Sequence, residues 1–271
     1  MIDSRIDGQP AASVALADRG LAYGDGLFET MRVERGKIAL LDRHMQRLQL
    51  GCRRLHIPLD IQLVRREVCS FAQELQQGVC KLILTRGDGT RGYGLPQPAT
   101  PRRILQAAPL PQWPAQNAHF GVCLYPCQTR LAIQPLLAGL KHLNRLEQVL
   151  ARAEWQDPAF AEGLMLDTSG RIIEGVFSNV FFVCGNTLLT PALSGSGVAG
   201  IMREQVLELA AGQGLAVEIA DLYPDQLGRM DEVFTCNSLY GIWPVLEYAG
   251  HSWPAGPLTR RLQSLINGQD T

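Results

Sequence analysis

The sequence predicts an α+β fold in two domains, and three observations predict it. At 271 residues the chain is long enough for one large domain or two modest ones, and it can bury a sizeable core. Strands and helices come in segregated runs in each half. The stretch "PLPQWPAQNA" has three prolines in ten residues, which suits an extended connector better than a helix or a strand. The expected boundaries are 1–110 for a smaller N-terminal α+β domain, 111–118 for the linker and 119–271 for a larger C-terminal α+β domain.

Each element is justified by its pattern. "SVALA" and "LFETMRVERGKIAL" read as strands, the second turning at Glu34 to Gly36. "LDRHMQRLQLGCRRLHI" places Leu41, Met45, Leu48, Cys52 and Leu55 on one stripe, so a helix is expected. "DIQLVRREVCSFAQELQQG" does the same through Leu63, Val64, Val68, Phe71 and Leu75, and its closing glycine predicts the helix stop. "CKLILTR" and "RRILQAAPL" have the look of buried strands around a Gly/Pro-rich loop. Past the connector, a strand is expected in "HFGVCLYP" and a helix in "GLKHLNRLEQVLAR", with Leu143, Leu146, Val149 and Leu150 covering one face. Short strands follow in "EGLMLDT", "IIEGVFSNVFFV" and "TLLT", then a helix from Ile201 to Ala211 and late strands around Val217, Val233 and Val245.

Composition narrows the function. Twenty-five Lys plus Arg stand against 26 Asp plus Glu, so the global field that attracts nucleic acid or an anionic membrane is missing. No run approaches a membrane span, and "MIDSRIDGQPAASVALADRG" has acidic residues where a signal peptide would be basic then apolar. A cytoplasmic protein with a small-molecule partner is expected. The seven cysteines are scattered and lack C-x-x-C spacing, which indicates neither a zinc site nor a disulfide framework. Most are expected as small core hydrophobes.

The G-x-G-x-x-G spacing occurs twice. Gly87, Gly89 and Gly92 lead into "YGLPQPATP", which cannot open a helix, so a flexible arginine-bearing loop is expected there. Gly195, Gly197 and Gly200 do precede a helix, with Asp221 near the place of a ribose-binding acid, which keeps a nicotinamide-dependent dehydrogenase open. A single phosphate on the N–H groups that start the Ile201 helix needs only what is visible.

A lysine at the mouth of the "GLKHLNRLEQVLAR" helix, after the apolar "QPLLAGL", calls for a reason, since burying its charge is costly. Lys141, Glu174 and a phosphate cradle are readable together as a pyridoxal phosphate site, with a lysine as nucleophile and a carboxylate to keep the ring nitrogen protonated. The segments "YGDGLFETMRV", "HMQRLQLGCRRL", "TRGDGTRGYG", "LAGLKHLNRLEQVLAR", "IIEGVFSNVFF", "GVAGIMRE" and "CNSLYGIWPV" span nearly the whole chain. On them the chain resembles the branched-chain/D-amino-acid aminotransferase family, the fold type IV pyridoxal phosphate enzymes. "GLKHLNRLEQ" and "GIMR" resemble its lyase branch.

That resemblance implies a two-domain fold type IV enzyme with the cofactor, pyridoxal 5'-phosphate, at the domain junction and its lysine in the C-terminal domain. Carried over residue by residue, it makes Lys141 the Schiff-base lysine and Glu174 the partner of the pyridine nitrogen. Arg47 binds the phosphate, Ile201 and Met202 give it backbone N–H groups, Ser238 adds a hydroxyl, and Asn237 faces the cofactor. Thr30 helps Lys141 with proton transfer. Arg91 and Tyr93 match a substrate-carboxylate loop that reaches across a homodimer interface, and Arg32 serves the same anion. No metal is implied. The expected reaction converts 4-amino-4-deoxychorismate to 4-aminobenzoate and pyruvate, a step of folate biosynthesis. A fold type IV aminotransferase acting on branched-chain or D-amino acids would share every cofactor residue, and a non-catalytic binding protein on the same fold is the remaining rival.

Overall fold

A computed structural model describes residues 4–268. It separates into two compact units. The first takes in the described residues up to Pro111 together with Leu140–Asn144, and the second takes in Gln112–Gly139 and the chain from Arg145 onward.

The first unit is a six-stranded antiparallel sheet with three helices. Its elements are β1 (Ser4–Ile6), β2 (Gln9–Pro10), α1 (Arg19–Tyr23), β3 (Gly26–Glu34), β4 (Lys37–Ile38), α2 (Leu41–Arg54), α3 (Ile61–Leu75), β5 (Gln77–Thr85) and β6 (Arg102–Ala108). The strand order is β2-β1-β6-β5-β3-β4. β3 alternates strictly. Leu27, Glu29, Met31 and Val33 are buried, while Phe28, Thr30 and Arg32 stand half-exposed on the other face. Leu27, Met31 and Val33 share a core with Met45, Leu48 and Cys52 of α2 and with Val64, Val68 and Phe71 of α3. Gly51 lets α2 close on the sheet, because a Cβ there would stand 2.7 Å from Leu27 Cδ1.

Three local expectations differ from what is seen. "SVALA" is irregular and not a strand; Leu16 is 90% exposed, and the run meets a neighbour only at its end, where the Ala17 carbonyl accepts the Gly89 N–H at 3.0 Å, before it leads into α1, capped by Asp18. The stop of α3 is Gln76, in the left-handed region at φ 62°, and Gly78 already belongs to β5. Lys141 is not on a helix. It lies in an extended stretch: the Phe28 N–H donates to the Lys141 carbonyl (2.9 Å) and the Leu143 N–H to the Gly26 carbonyl (3.1 Å). Leu140 joins the β3–α2 core. This segment therefore packs with the first unit, against the expectation that the C-terminal domain carries it, because it occupies the side of β3 that the two-residue β4 leaves open.

The second unit is built on a nine-stranded mixed sheet. Its elements are α4 (Gln116–His119), β7 (Val122–Leu131), α5 (Leu146–Ala153), β8 (Phe160–Asp167), β9 (Ile172–Gly175), β10 (Asn179–Cys184), β11 (Thr187–Pro191), α6 (Ile201–Gly212), β12 (Ala216–Ala220), β13 (Glu232–Asn237), β14 (Gly241–Tyr248), β15 (His251–Ser252) and α7 (Pro257–Asn267). Strand order is β12-β11-β10-β13-β14-β7-β8-β9, with β15 pairing β14. Central strands such as β10 and β13 are buried almost throughout, as continuous apolar runs require. Val180, Phe182, Val233, Trp243 and Val245 form the core of this sheet. α5 departs from expectation: Leu146, Val149 and Leu150 are 69%, 61% and 54% exposed, and of the helix only Ala151 is buried.

All seven cysteines are free. Burial pushes the thiols of Cys52, Cys80 and Cys127 up to about 12, which leaves them inert as nucleophiles. Among the described residues no helix is long and apolar enough to cross a membrane, and no cluster of His, Cys, Asp and Glu could hold a metal.

Candidate active site

In the first unit the candidate residues gather around β3. The Lys141 ammonium sits 4.3 Å from the centroid of the Phe28 ring, a cation–π placement that holds the side chain over the half-exposed face. Two residues further along that face lies Thr30, and two further is Arg32, whose Nε donates to Glu34 Oε1 at 2.7 Å. Lys81, which sequence reasoning passed over, lies directly across from Thr30 on β5, with its ammonium 5.7 Å from the same Phe28 ring. The strand register brings it there, and register between distant strands is not local information.

On the opposite face of β3, Glu29 is a carboxylate in an apolar core, which demands partners. α2 supplies them at one-turn spacing. His44 Nδ1 lies 2.6 Å from Glu29 Oε2, and Arg47 donates from Nε to Oε1 at 2.8 Å and from Nη2 to Oε2. Burial raises the Glu29 pKa, but the Arg47 charge and hydrogen bonds and the His44 contact outweigh it and bring it down to about 2. His44 is driven below its ordinary value by burial first, against the pull of Glu29, with Arg47 and Lys141 adding to the depression. Arg47 is thus an oriented cation on a rigid helix.

Arg91 and Tyr93 occupy the loop between β5 and β6. Both are exposed, Tyr93 with its ring 5.4 Å from that of Tyr23.

In the second unit Glu174, near the end of β9, is 4% exposed and accepts the Val198 N–H on Oε2 at 2.7 Å. Its charge also acts on Arg145, raising the guanidinium pKa against the larger lowering effect of burial. The loop before α6 is shaped around this carboxylate. A Cβ at Gly197 would stand 2.7 Å from Ile173 Cγ2, and one at Gly200 only 2.0 Å from Asn179 Oδ1. Asn179 Nδ2 in turn donates to the Val198 carbonyl at 2.9 Å. These contacts account for the second G-x-G-x-x-G copy, and Asp221 is engaged by Arg171 Nη1 at 2.9 Å. Gly200 is the N-cap of α6 with no side-chain cap, so the N–H groups of Ile201 and Met202 open a helix end suited to an anion. Asn237 closes the turn that holds Ser238. Its Oδ1 accepts from Leu239 and Tyr240 N–H at 2.9 and 3.0 Å, and its Nδ2 donates to the Phe177 carbonyl at 3.2 Å.

The first unit thus offers a lysine on an aromatic ring and an oriented arginine, and the second, taken by itself, a buried carboxylate and an uncapped helix start. Comparisons with known proteins agree with that chemistry. Residues 26–248 match the family described as amino-transferase class IV. The aminodeoxychorismate lyase of Vibrio harveyi is 38% identical over 267 residues, which cover 97% of this chain and 98% of that one. The crystal structure of 4-amino-4-deoxychorismate lyase from Pseudomonas aeruginosa superposes with a TM-score of 0.97 at 55% identity, covering 98% of each chain. The branched-chain amino acid aminotransferase of Escherichia coli superposes at 0.86 with 25% identity, covering 98% of this chain and 93% of that one.

Proposed function

This chain belongs to the amino-transferase class IV family, and from that premise we propose that it is a pyridoxal phosphate-dependent lyase that splits 4-amino-4-deoxychorismate into 4-aminobenzoate and pyruvate, a cytoplasmic step of folate biosynthesis. The observation that carries the reading is the contrast in likeness at near-complete coverage: 55% identity to a lyase against 25% to an aminotransferase. When bound, pyridoxal phosphate supplies an electron sink for the carbon that bears the substrate amine.

The chain's own residues do the rest. Lys141 would hold the cofactor's aldehyde end and would take the substrate C4 proton. Glu174 would keep a proton at the ring nitrogen, and its burial and the Val198 N–H hold its carboxylate in place. Arg47, the N–H groups of Ile201 and Met202, and the Ser238 hydroxyl hold the phosphate, with Asn237 beside them. Thr30 assists the proton transfer at Lys141. Arg32, Arg91 and Tyr93 take the substrate carboxylates, and Lys81, across from Thr30 on the neighbouring strand, adds a third cation for a dianion. Loss of the C4 proton and of enolpyruvate leaves an aromatic ring, so no keto acid is consumed. The active form is a homodimer.

With aminodeoxychorismate and no keto acid, the enzyme should release 4-aminobenzoate and pyruvate in equal amounts over many turnovers. A single turnover that restarts only on adding a keto acid, with rapid glutamate formation from branched-chain or D-amino acids and 2-oxoglutarate, would make it an aminotransferase.

A further inference from the structure

The loop that carries Arg91 and Tyr93 is held from below by one buried side chain. Arg19, at the first position of α1, is 4% exposed. Its Nε donates to Asp25 Oδ2 at 2.8 Å. Its Nη1 donates to the carbonyls of Gly92 and Gly94 at 3.1 and 3.2 Å, and its Nη2 to that of Tyr93 at 3.5 Å. Three successive carbonyls thus converge on one guanidinium. We propose that Arg19 is a positioning residue for the substrate-binding loop, fixing through these carbonyls where Arg91 and Tyr93 are presented. This rests on the reading that Arg91 and Tyr93 take a substrate carboxylate.

The anchor is rigid. Asp25 is gripped from its other side by Arg86, with Nε to Oδ2 at 2.7 Å and Nη2 to Oδ1 at 2.9 Å. Arg86 then donates to the carbonyls of Leu55 and His56, just past the end of α2, at 2.7 and 2.8 Å. Burial works to raise the Asp25 pKa, and the two arginines overcome it and keep the carboxylate charged. The clamp therefore runs from the helix that carries Arg47 to the loop. Tyr23 lines the same seat: the Arg19 guanidinium lies 5.0 Å from its ring, and its hydroxyl accepts the Gly92 N–H at 3.2 Å.

The clamp also explains the first glycine motif. Gly92 sits at φ 104°, a conformation that lets the chain turn its carbonyls inward and that side-chain-bearing residues avoid. A Cβ at Gly89 would stand 2.7 Å from Arg19 Cδ. Lysine cannot replace this arginine, because an ammonium is a point donor, whereas the planar fork spans Asp25 and three carbonyls at once.

Arg91–Gly92 is itself a trypsin site, which gives a direct readout of loop order on the holoenzyme. Arg19→Lys keeps the charge beside Asp25 and loses the fork. It should raise KM for aminodeoxychorismate by about tenfold, the effect of losing one or two hydrogen bonds, with kcat within about threefold of the parent. Cleavage after Arg91 should quicken by a similar factor while other sites stay protected, and ethylguanidinium should lower the KM of Arg19→Ala. Parental cleavage and KM in Arg19→Lys would overturn the clamp, as would cleavage spread over the chain with a fall in kcat. Faster cleavage after Arg91 at an unchanged KM would leave Arg19 holding the loop and overturn the loop's role in substrate binding.

Discussion

Lys141 answers the question its neighbours raise in the sequence. Its backbone carbonyl closes a pairing with Phe28, and its ammonium rests on the Phe28 ring, so the main chain carries the strand-like pairing here. Lys141→Ala should therefore keep the fold, with a melting temperature within a few degrees of the parent, and lose turnover by about a thousandfold or more. Assay of 4-aminobenzoate release beside a thermal melt checks this; appreciable activity in the variant would remove Lys141 from the reaction. Glu29 shows the opposite division of labour. No periodicity announces it as anything but a strand residue, and its function is to orient Arg47 from the far face of the sheet.

At the scale of elements, α5 is the informative case. Its apolar stripe is correct as a pattern, yet Leu146, Val149 and Leu150 find no cover among the described residues. Ile133 and Leu136, also in the second unit, are exposed as well. An apolar helix face left in water is costly and marks a surface for association. If the active form is the homodimer proposed above, this face is its expected interface. The double variant Leu146→Ser, Val149→Ser should shift light scattering from dimer toward monomer at micromolar concentration while circular dichroism keeps its helical signal. An unchanged dimer would place the interface elsewhere.

Over the whole molecule, two buried carboxylates set opposite pH dependences. Glu29 is depressed from 4.5 to about 2, so its stabilisation is complete above about pH 4.5 and is lost as pH falls toward 2. The effect is on the order of 3 kcal/mol. Glu162, on β8, is raised by burial from 4.5 to about 7, offset only in part by the Ser178 hydroxyl and the N–H groups of Gly163, Phe177 and Val176. Its contribution is full below about pH 4.5 and fades as pH rises through 7. Melting temperature against pH should lose its acid limb in part in Glu29→Gln, and its neutral decline in part in Glu162→Gln. Variant curves parallel to the parent's would show that neither group governs stability.

Most of this molecule's local architecture is legible in its one-dimensional pattern. The alternation of β3, the stripes of α2 and α3, the buried runs of β5, β8 and β10 and the start of α6 at Ile201 are short-range signals, set by periodicity, glycine and burial. The family is legible too, because its motifs are spread along the whole chain. Tertiary structure alone decided the rest. It decided that the Lys141 segment pairs with β3, that Lys81 lies across from Thr30, that Arg19 reaches the carbonyls of Gly92 to Gly94, and that the face of α5 is uncovered among the described residues. Each of these joins residues far apart in the chain, or leaves a face without its expected partner. The pairing of distant segments is set by register and packing, on which local periodicity carries no information.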